Sequence, residues 1–219
     1  MQVDQDTGVV TCQAGLLLSE LDAKTAPWHV PVGVISHTGF GLVLGGGFGW
    51  LARNYGYTID NVIEAKIVTA DGELRTCNRK ENSDLFWGIL GAGSNLGILV
   101  EYKLQAFKVE NVVVNSLAWP LSIDIVEKLH NFQVEHHENR KMTTYVFFSI
   151  LEGKYMAMIF SVFLGSKALT SLFYLILLGG SSGTISAINE LKTCCCHSPL
   201  CCNAIFEGEL CIRSCGTLK

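Results

Sequence analysis

The strongest constraint on this chain is the run Ser36-His37-Thr38-Gly39-Phe40-Gly41-Leu42-Val43-Leu44-Gly45-Gly46-Gly47-Phe48-Gly49-Trp50. Seven of the positions from Gly33 to Gly49 are glycine. A long helix or a central strand does not tolerate that density, because glycine loses the most backbone entropy on ordering and has no side chain to pack. Glycine does permit positive φ and lets the backbone approach a ligand closely. Successive bare N–H groups in such turns form anion-binding nests, so a pyrophosphate is the natural guest. The structural alternative is a tight turn between core strands.

The surrounding pattern alternates strands with short helices. Residues 8–14 alternate as a strand after a turn. Residues 16–24 place Leu17, Leu18 and Leu21 at helical spacing, with acids on the other face. Residues 29–32 form a short extended piece. Residues 61–70 read as a strand through Val62, Ile63, Ala65, Ile67 and Val68, and the turn Ala70-Asp71-Gly72 returns the chain to a second strand at 74–77. Residues 84–90 predict one or two helical turns capped by Ser83 or Asp84. A second glycine loop, Gly91-Ala92-Gly93-Ser94-Asn95-Leu96-Gly97, precedes a strand at 98–107.

Beyond residue 108 the pattern changes. A strand is expected at 112–119. An amphipathic helix at 122–137 carries Ile125, Leu129 and Phe132 on one face. Strands at 145–151 and 155–164 form a hairpin around Glu152-Gly153, and a helix follows at 167–178. This β-α-β-β-α order predicts an antiparallel sheet covered by helices, so the fold class is α+β. Three zones result: residues 1–108, 109–192 and a cysteine-rich tail at 193–219.

Composition excludes several functions. With 16 Lys and Arg against 20 Asp and Glu, the net charge is −4. No basic field is available to hold a phosphate backbone, so nucleic acid is not expected as a partner. The most apolar stretch, residues 156–178, is broken by Gly165-Ser166 and Lys167, so it reads as a buried strand and a helix rather than a membrane span. The polar, acidic first residues lack a leader pattern, which leaves the cytoplasm as the default expectation. Seven of the nine cysteines lie between Cys194 and Cys215, unlike a disulfide framework spread through a domain. That tail has enough thiols for zinc, but three consecutive cysteines are not a zinc knuckle, and no metal is assigned. His136 and His137 are adjacent on a predicted helix, point about 100° apart and cannot share a metal there; a solvated face is expected.

The second glycine loop imitates a dinucleotide fingerprint. Its third glycine comes one residue late, however, and a strand follows where that fingerprint requires a helix. The two glycine stretches say more together. In order come Gly45-Gly46-Gly47-Phe48-Gly49-Trp50-Leu51-Ala52-Arg53-Asn54-Tyr55-Gly56, then Asp60-Asn61-Val62, Val68-Thr69-Ala70-Asp71-Gly72, Asn82-Ser83-Asp84-Leu85-Phe86-Trp87, and the loop from Gly91 to Ile98. This succession resembles the FAD-binding PCMH-type (vanillyl-alcohol oxidase/p-cresol methylhydroxylase) superfamily. Within it, the chain is most similar to the berberine-bridge-enzyme-like branch that carries a Ser-His-Thr-Gly stretch. The resemblance covers residues 3–107. More loosely, residues 109–192 resemble the start of that family's substrate domain.

The resemblance implies roles by position. Ser36, His37, Thr38, Gly39 and Gly41 would line the flavin of FAD, with Gly46, Gly47 and Gly49 close behind. Asn95, Gly97 and Ile98 would meet the adenine side. Asp60 and Asn61 would form a turn at the mouth of the next strand, and Asp84, Phe86 and Trp87 would serve packing and capping. The implied activity is that of an FAD-linked oxidoreductase of the oxidase type. Hydride would pass from a small organic substrate to the flavin, and electrons would pass on to molecular oxygen. No catalytic base is identified, although His37 could touch a flavin-bound substrate.

Four departures from the family pattern shape the expectation. The family's first phosphate loop, often with a histidine bonded to the flavin, would precede this sequence, and His37 is not that histidine. Ile35 stands where a second covalent link would come from cysteine, so any FAD is expected to be non-covalent. The stretch between Gly39 and Gly45 is one residue short. The family's C-terminal return to the flavin is missing. The expectation is therefore a fragment truncated at both ends, with weak FAD retention and impaired turnover. The alternative is a non-catalytic remnant that binds a partner protein without cofactor.

Overall fold

The computed structural model describes residues 1–109, 112–151 and 153–165. The chain forms two compact units, one over Met1–Val109 and one beginning at Glu110.

The first unit contains the strands β1 (Gln2–Val3), β2 (Val9–Gln13), β3 (Trp28–His29), β4 (Val62–Val68), β5 (Leu74–Asn78), β6 (Ile98–Gln105) and β7 (Phe107–Lys108). Its α-helices are α1 (Leu18–Thr25), α2 (Gly41–Leu44), α3 (Ala52–Tyr55) and α4 (Ser83–Ala92). Five strands make one antiparallel sheet in the order β1-β2-β6-β4-β5.

Side-chain alternation gives this sheet two unlike faces. Val10, Cys12, Ala65, Ile67, Cys77, Tyr102 and Leu104 are buried on the inner face, against Leu18, Leu21, Phe40, Val43, Phe86 and Ile89 from the helices and the glycine-rich segment. Phe40 and Tyr102 bring their ring centroids to 5.3 Å. The other face carries ion pairs between β4 and β6, with Lys66 to Glu101 and Lys103 to Glu64 both at 2.8 Å.

The predicted helix at 16–24 is present, with a different inner stripe. Leu18, Leu21, Asp22 and Thr25 are buried, a spacing of i, i+3, i+4 and i+7, while Leu17 is the N-cap. Asp22 thus belongs to the buried face and not to the solvated one expected for the acids. Burial raises its carboxyl to about 7.

The strand expected at 98–107 ends earlier, at Gln105. The Ala106 N–H donates to the Gly8 carbonyl at 2.9 Å, and Phe107 turns away to pair with His29 on β3. Helix α4 is preceded by Asn82 in the left-handed region (φ 47°), not capped by Ser83 or Asp84. The Asn82 side chain donates instead to the Thr76 carbonyl at 2.7 Å. Phe86 is buried as expected. Trp87 is 81% exposed, which corrects its assignment to packing. The two neighbours point about 100° apart on a helix, so burying one turns the other outward.

The second unit has β8 (Val112–Pro120), α5 (Ile123–His136), β9 (Met142–Leu151) and β10 (Lys154–Leu164), with the sheet order β8-β10-β9. Strands β9 and β10 form the hairpin expected, Lys154 pairing with Leu151. Ser122 caps α5, its Oγ accepting the Ile125 N–H at 3.3 Å. Leu129 and Phe132 pack with Met142, Ala157, Ile159 and Phe163. His137 lies just past the helix and is exposed, and the His136 ring meets the Phe132 ring edge-on at 4.8 Å. The expected helix at 167–178 and the cysteine-rich tail lie outside the described residues. Among the described residues, no helix is long and apolar enough to cross a membrane.

Candidate functional site

The glycine-dense segment at 33–49 is organised around two short structures. The first is a tight turn from Ile35 to Thr38. The Ile35 carbonyl accepts both the Thr38 N–H at 3.1 Å and the Thr38 hydroxyl at 2.7 Å. His37 is exposed on this turn.

Helix α1 holds that turn. The first N–H groups of a helix have no partner within it. Here the Leu18 N–H donates to the Thr38 carbonyl at 3.0 Å and the Ser19 N–H to the Ser36 carbonyl at 2.9 Å. Glu20 accepts the Leu17 N–H at 2.9 Å, and Leu17 also bridges Gly39. Two carbonyls flanking His37 are thereby fixed, and the imidazole is presented outward.

The second structure is the one-turn helix α2, from Gly41 to Leu44. The Gly45 and Gly46 N–H groups close it by donating to the carbonyls of Leu42 (3.1 Å) and Val43 (3.0 Å). These two donors are therefore not bare, which corrects the reading of Gly45 and Gly46 as part of an N–H nest. The Gly46 and Gly47 carbonyls point back into the fold and accept the Ile59 and Thr58 N–H groups at 3.0 and 2.9 Å.

The glycines fall into two groups by what a side chain would meet. A Cβ on Gly47 would overlap Thr58, one on Gly49 the Val32 carbonyl oxygen, and one on Gly97 the Val68 carbonyl oxygen. These three glycines admit the protein's own close packing. A Cβ on Gly41 or Gly46 would meet nothing within 4 Å, and one on Gly39 only the Leu16 carbonyl oxygen at 3.7 Å. Open space therefore lies beside Gly41 and Gly46, and a Cβ on Gly39 would make only an ordinary contact.

The second glycine loop reaches α2 through Gly93, where a Cβ would run into the Leu44 side chain. Asn95 closes the 3₁₀ turn Gly93–Asn95 and is exposed. Ile98 pairs with Val68 at the start of β6 and is 75% exposed. The fold thus joins the two glycine segments at Leu44 and Gly93.

Below the site, Asp60 accepts the Tyr57 N–H at 2.7 Å, and the Asn61 amide donates to the Tyr55 and Tyr57 carbonyls at 2.8 and 2.9 Å. Both residues build the turn into β4. Between residues 33 and 49 the sequence has no Asp, Glu, Lys, Arg, Cys or Tyr, so His37 is the segment's titratable side chain. From this segment an anion would meet backbone dipoles.

Sequence reasoning missed Glu20 and Thr58. Glu20 had a local signal, an acid at the third position of a helix. Thr58 had none, because its partner lies 27 residues away in the chain.

Residues 1–78 match the family model described as an FAD binding domain. The FAD-linked oxidoreductase pgmH of Aspergillus terreus is 35% identical over 142 residues, covering 61% of this chain and 29% of that protein. The xylooligosaccharide oxidase of Thermothelomyces thermophilus is 31% identical over 172 residues, covering 70% of this chain and 34% of that protein. Among solved structures, BBE-like 1 of Physcomitrella patens superposes with a TM-score of 0.72 at 23% identity, covering 83% of this chain and 40% of that one. The chain spans between 16% and 34% of the length of the curated relatives it matches. The fold at that structural likeness is the PCMH-type α+β fold expected from the motifs, and the family's cofactor is FAD. Residues 1–78 thus match an FAD binding domain, and the chain is similar to FAD-linked oxidoreductases over part of their length.

Proposed function

We propose that this chain binds FAD along Ser36, His37, Thr38, Gly39, Gly41 and Gly46, with Asn95, Gly97 and Ile98 toward the adenine side. Gly47 and Gly49 shape that surface from behind. The observation that carries the reading is the open space beside Gly41 and Gly46, next to a turn held by α1. The donor set fits the cofactor. A flavin ring is flat, and glycines without side-chain neighbours leave room for a flat face. The hydroxyls of Ser36 and Thr38 and the His37 imidazole supply polar groups at its edge.

Bound FAD would supply a two-electron acceptor, the hard chemistry that side chains lack. The chain's own residues bind and orient. The Ile35–Thr38 turn fixes His37 at the surface, where its imidazole can exchange a proton with a substrate hydroxyl. Ile35 offers no nucleophile, so binding is non-covalent. The substrate is a small organic molecule, and the relative named xylooligosaccharide oxidase supports a hydroxyl-bearing one. Molecular oxygen is the proposed acceptor.

The test is an absorbance and fluorescence scan of the purified, desalted chain, before and after acid precipitation. Flavin that moves to the supernatant supports non-covalent binding. Flavin that stays in the pellet overturns the non-covalent reading. A protein that is colourless, and stays so after incubation with excess FAD, overturns the cofactor reading.

A second reading draws on the exposure of Trp87 and Ile98. Large apolar side chains exposed this fully favour a surface for another protein. In that reading the chain is a non-catalytic interaction module, and the colourless outcome supports it.

A further inference from the structure

Thr58 lies fully buried under the candidate site, and each part of it is used. Its hydroxyl donates to the Pro31 carbonyl at 2.5 Å, and its N–H donates to the Gly47 carbonyl at 2.9 Å. Its Cβ and Oγ1 fill the place where a side chain on Gly47 would stand. Pro31 and Gly47 bracket the segment that carries Ser36, His37, Thr38, Gly39, Gly41 and Gly46. Gly49, set against the Val32 carbonyl, tightens the same base. One threonine therefore closes both ends of the segment on a single point.

We propose that Thr58 is a positioning residue for cofactor binding: its hydroxyl holds the Pro31 end of the segment to the Gly47 end, which its N–H holds, and so fixes the opening in which Ser36 to Gly41 are presented. This proposal rests on the FAD-binding reading above. It assigns Thr58 no contact with the cofactor. Threonine is suited to the task because one small side chain supplies both a donor and a methyl. Valine would keep the shape and lose the donor, and that exchange is not neutral in a buried site. Serine would keep the donor.

The test compares the full chain with its Thr58→Val and Thr58→Ser variants. FAD affinity is read from quenching of flavin fluorescence, and folding from circular dichroism. Amide hydrogen exchange is followed over residues 33–47 and over β4 and β6. Thr58→Val is expected to weaken FAD binding about tenfold or more, because binding must then order a segment that the parent chain already holds in place. Its exchange is expected to rise within 33–47 and not in β4 or β6. Thr58→Ser is expected to bind within about threefold of the parent chain.

Equal binding by the parent chain and Thr58→Val overturns the proposal while leaving the cofactor reading intact. Exchange that rises uniformly through the sheet also overturns it, because that is general destabilisation. If Thr58→Val does not fold, Thr58→Ser decides: a folded serine variant that binds as the parent supports the hydroxyl, and one that has lost about tenfold overturns it. A parent chain that binds no FAD removes the cofactor reading itself, and the proposal falls with it.

Discussion

Gly49 lies against the carbonyl of Val32 so closely that a Cβ there would overlap the carbonyl carbon and oxygen. Gly41, eight positions earlier in the same segment, faces open space. The contrast separates a glycine the fold requires from one a ligand would use. Gly49→Ala is expected to destabilise the chain by about 2 kcal/mol, because backbone cannot yield as a side-chain tip can. Gly41→Ala, within α2, is expected to leave stability within about 0.5 kcal/mol and to weaken FAD binding. Denaturant titration and flavin fluorescence read the two effects separately. A stable Gly49→Ala variant would contradict the close approach.

Asp22 makes stability depend on pH. Its carboxyl is raised from 3.8 to about 7 by burial, so the folded chain holds a proton that the unfolded chain has released. Stability attributable to this group is intact below the unfolded value of about 4, declines as pH rises, and levels off above about 7. The full cost is a few kcal/mol. Asp22→Asn is expected to flatten this decline and to be more stable than the parent at about pH 8, with little difference at about pH 4. Denaturant melts across that range test it, and an unchanged slope would count against a buried, protonated Asp22.

Cys12 and Cys77 are predicted to be inert in the folded chain. Burial pushes their thiols up to about 12 and about 11. The thiolate is the nucleophile, so almost none is present at neutral pH. Iodoacetamide at about pH 8, followed by peptide mass spectrometry, should leave both residues unmodified in the native chain and alkylate both in urea. Rapid native labelling of either would show that the inner face of the sheet opens.

The ion pairs on the outer sheet face are expected to contribute modestly. Lys103 holds the Glu64 carboxyl below the usual range, so any stability from this pair is present at neutral pH and lost as pH falls through the folded value. Both partners are partly exposed, so solvent screens the attraction. A double-mutant cycle with Glu64→Gln and Lys103→Met should give a coupling of about 0.2–1 kcal/mol that shrinks in high salt. A coupling several times larger would mean a drier face than the exposures indicate.

Strand and helix order were legible through most of the described residues because hydrophobic period is a local signal. The β4–β5 hairpin, α5 and the β9–β10 hairpin were each read from patterns within one short window. Misreadings occurred where local chemistry was ambiguous. Asp22 was placed on a solvated face because an acid is normally exposed, but its spacing from Leu18 sets it on the buried stripe. Trp87 was assigned to packing because large aromatics usually are buried, but Phe86 takes the inner position on α4.

The sequence by itself determined the resemblance to FAD-binding proteins, the two glycine stretches and their order, because a succession of short motifs is written along one dimension. Only the tertiary structure decided which glycines are free. Gly41 and Gly46 face space, whereas the places of a side chain on Gly47, Gly49 and Gly97 are taken by Thr58, Val32 and Val68. A glycine reports only that a side chain is missing. What fills the vacated volume comes from residues distant in the chain, and only folding brings them there.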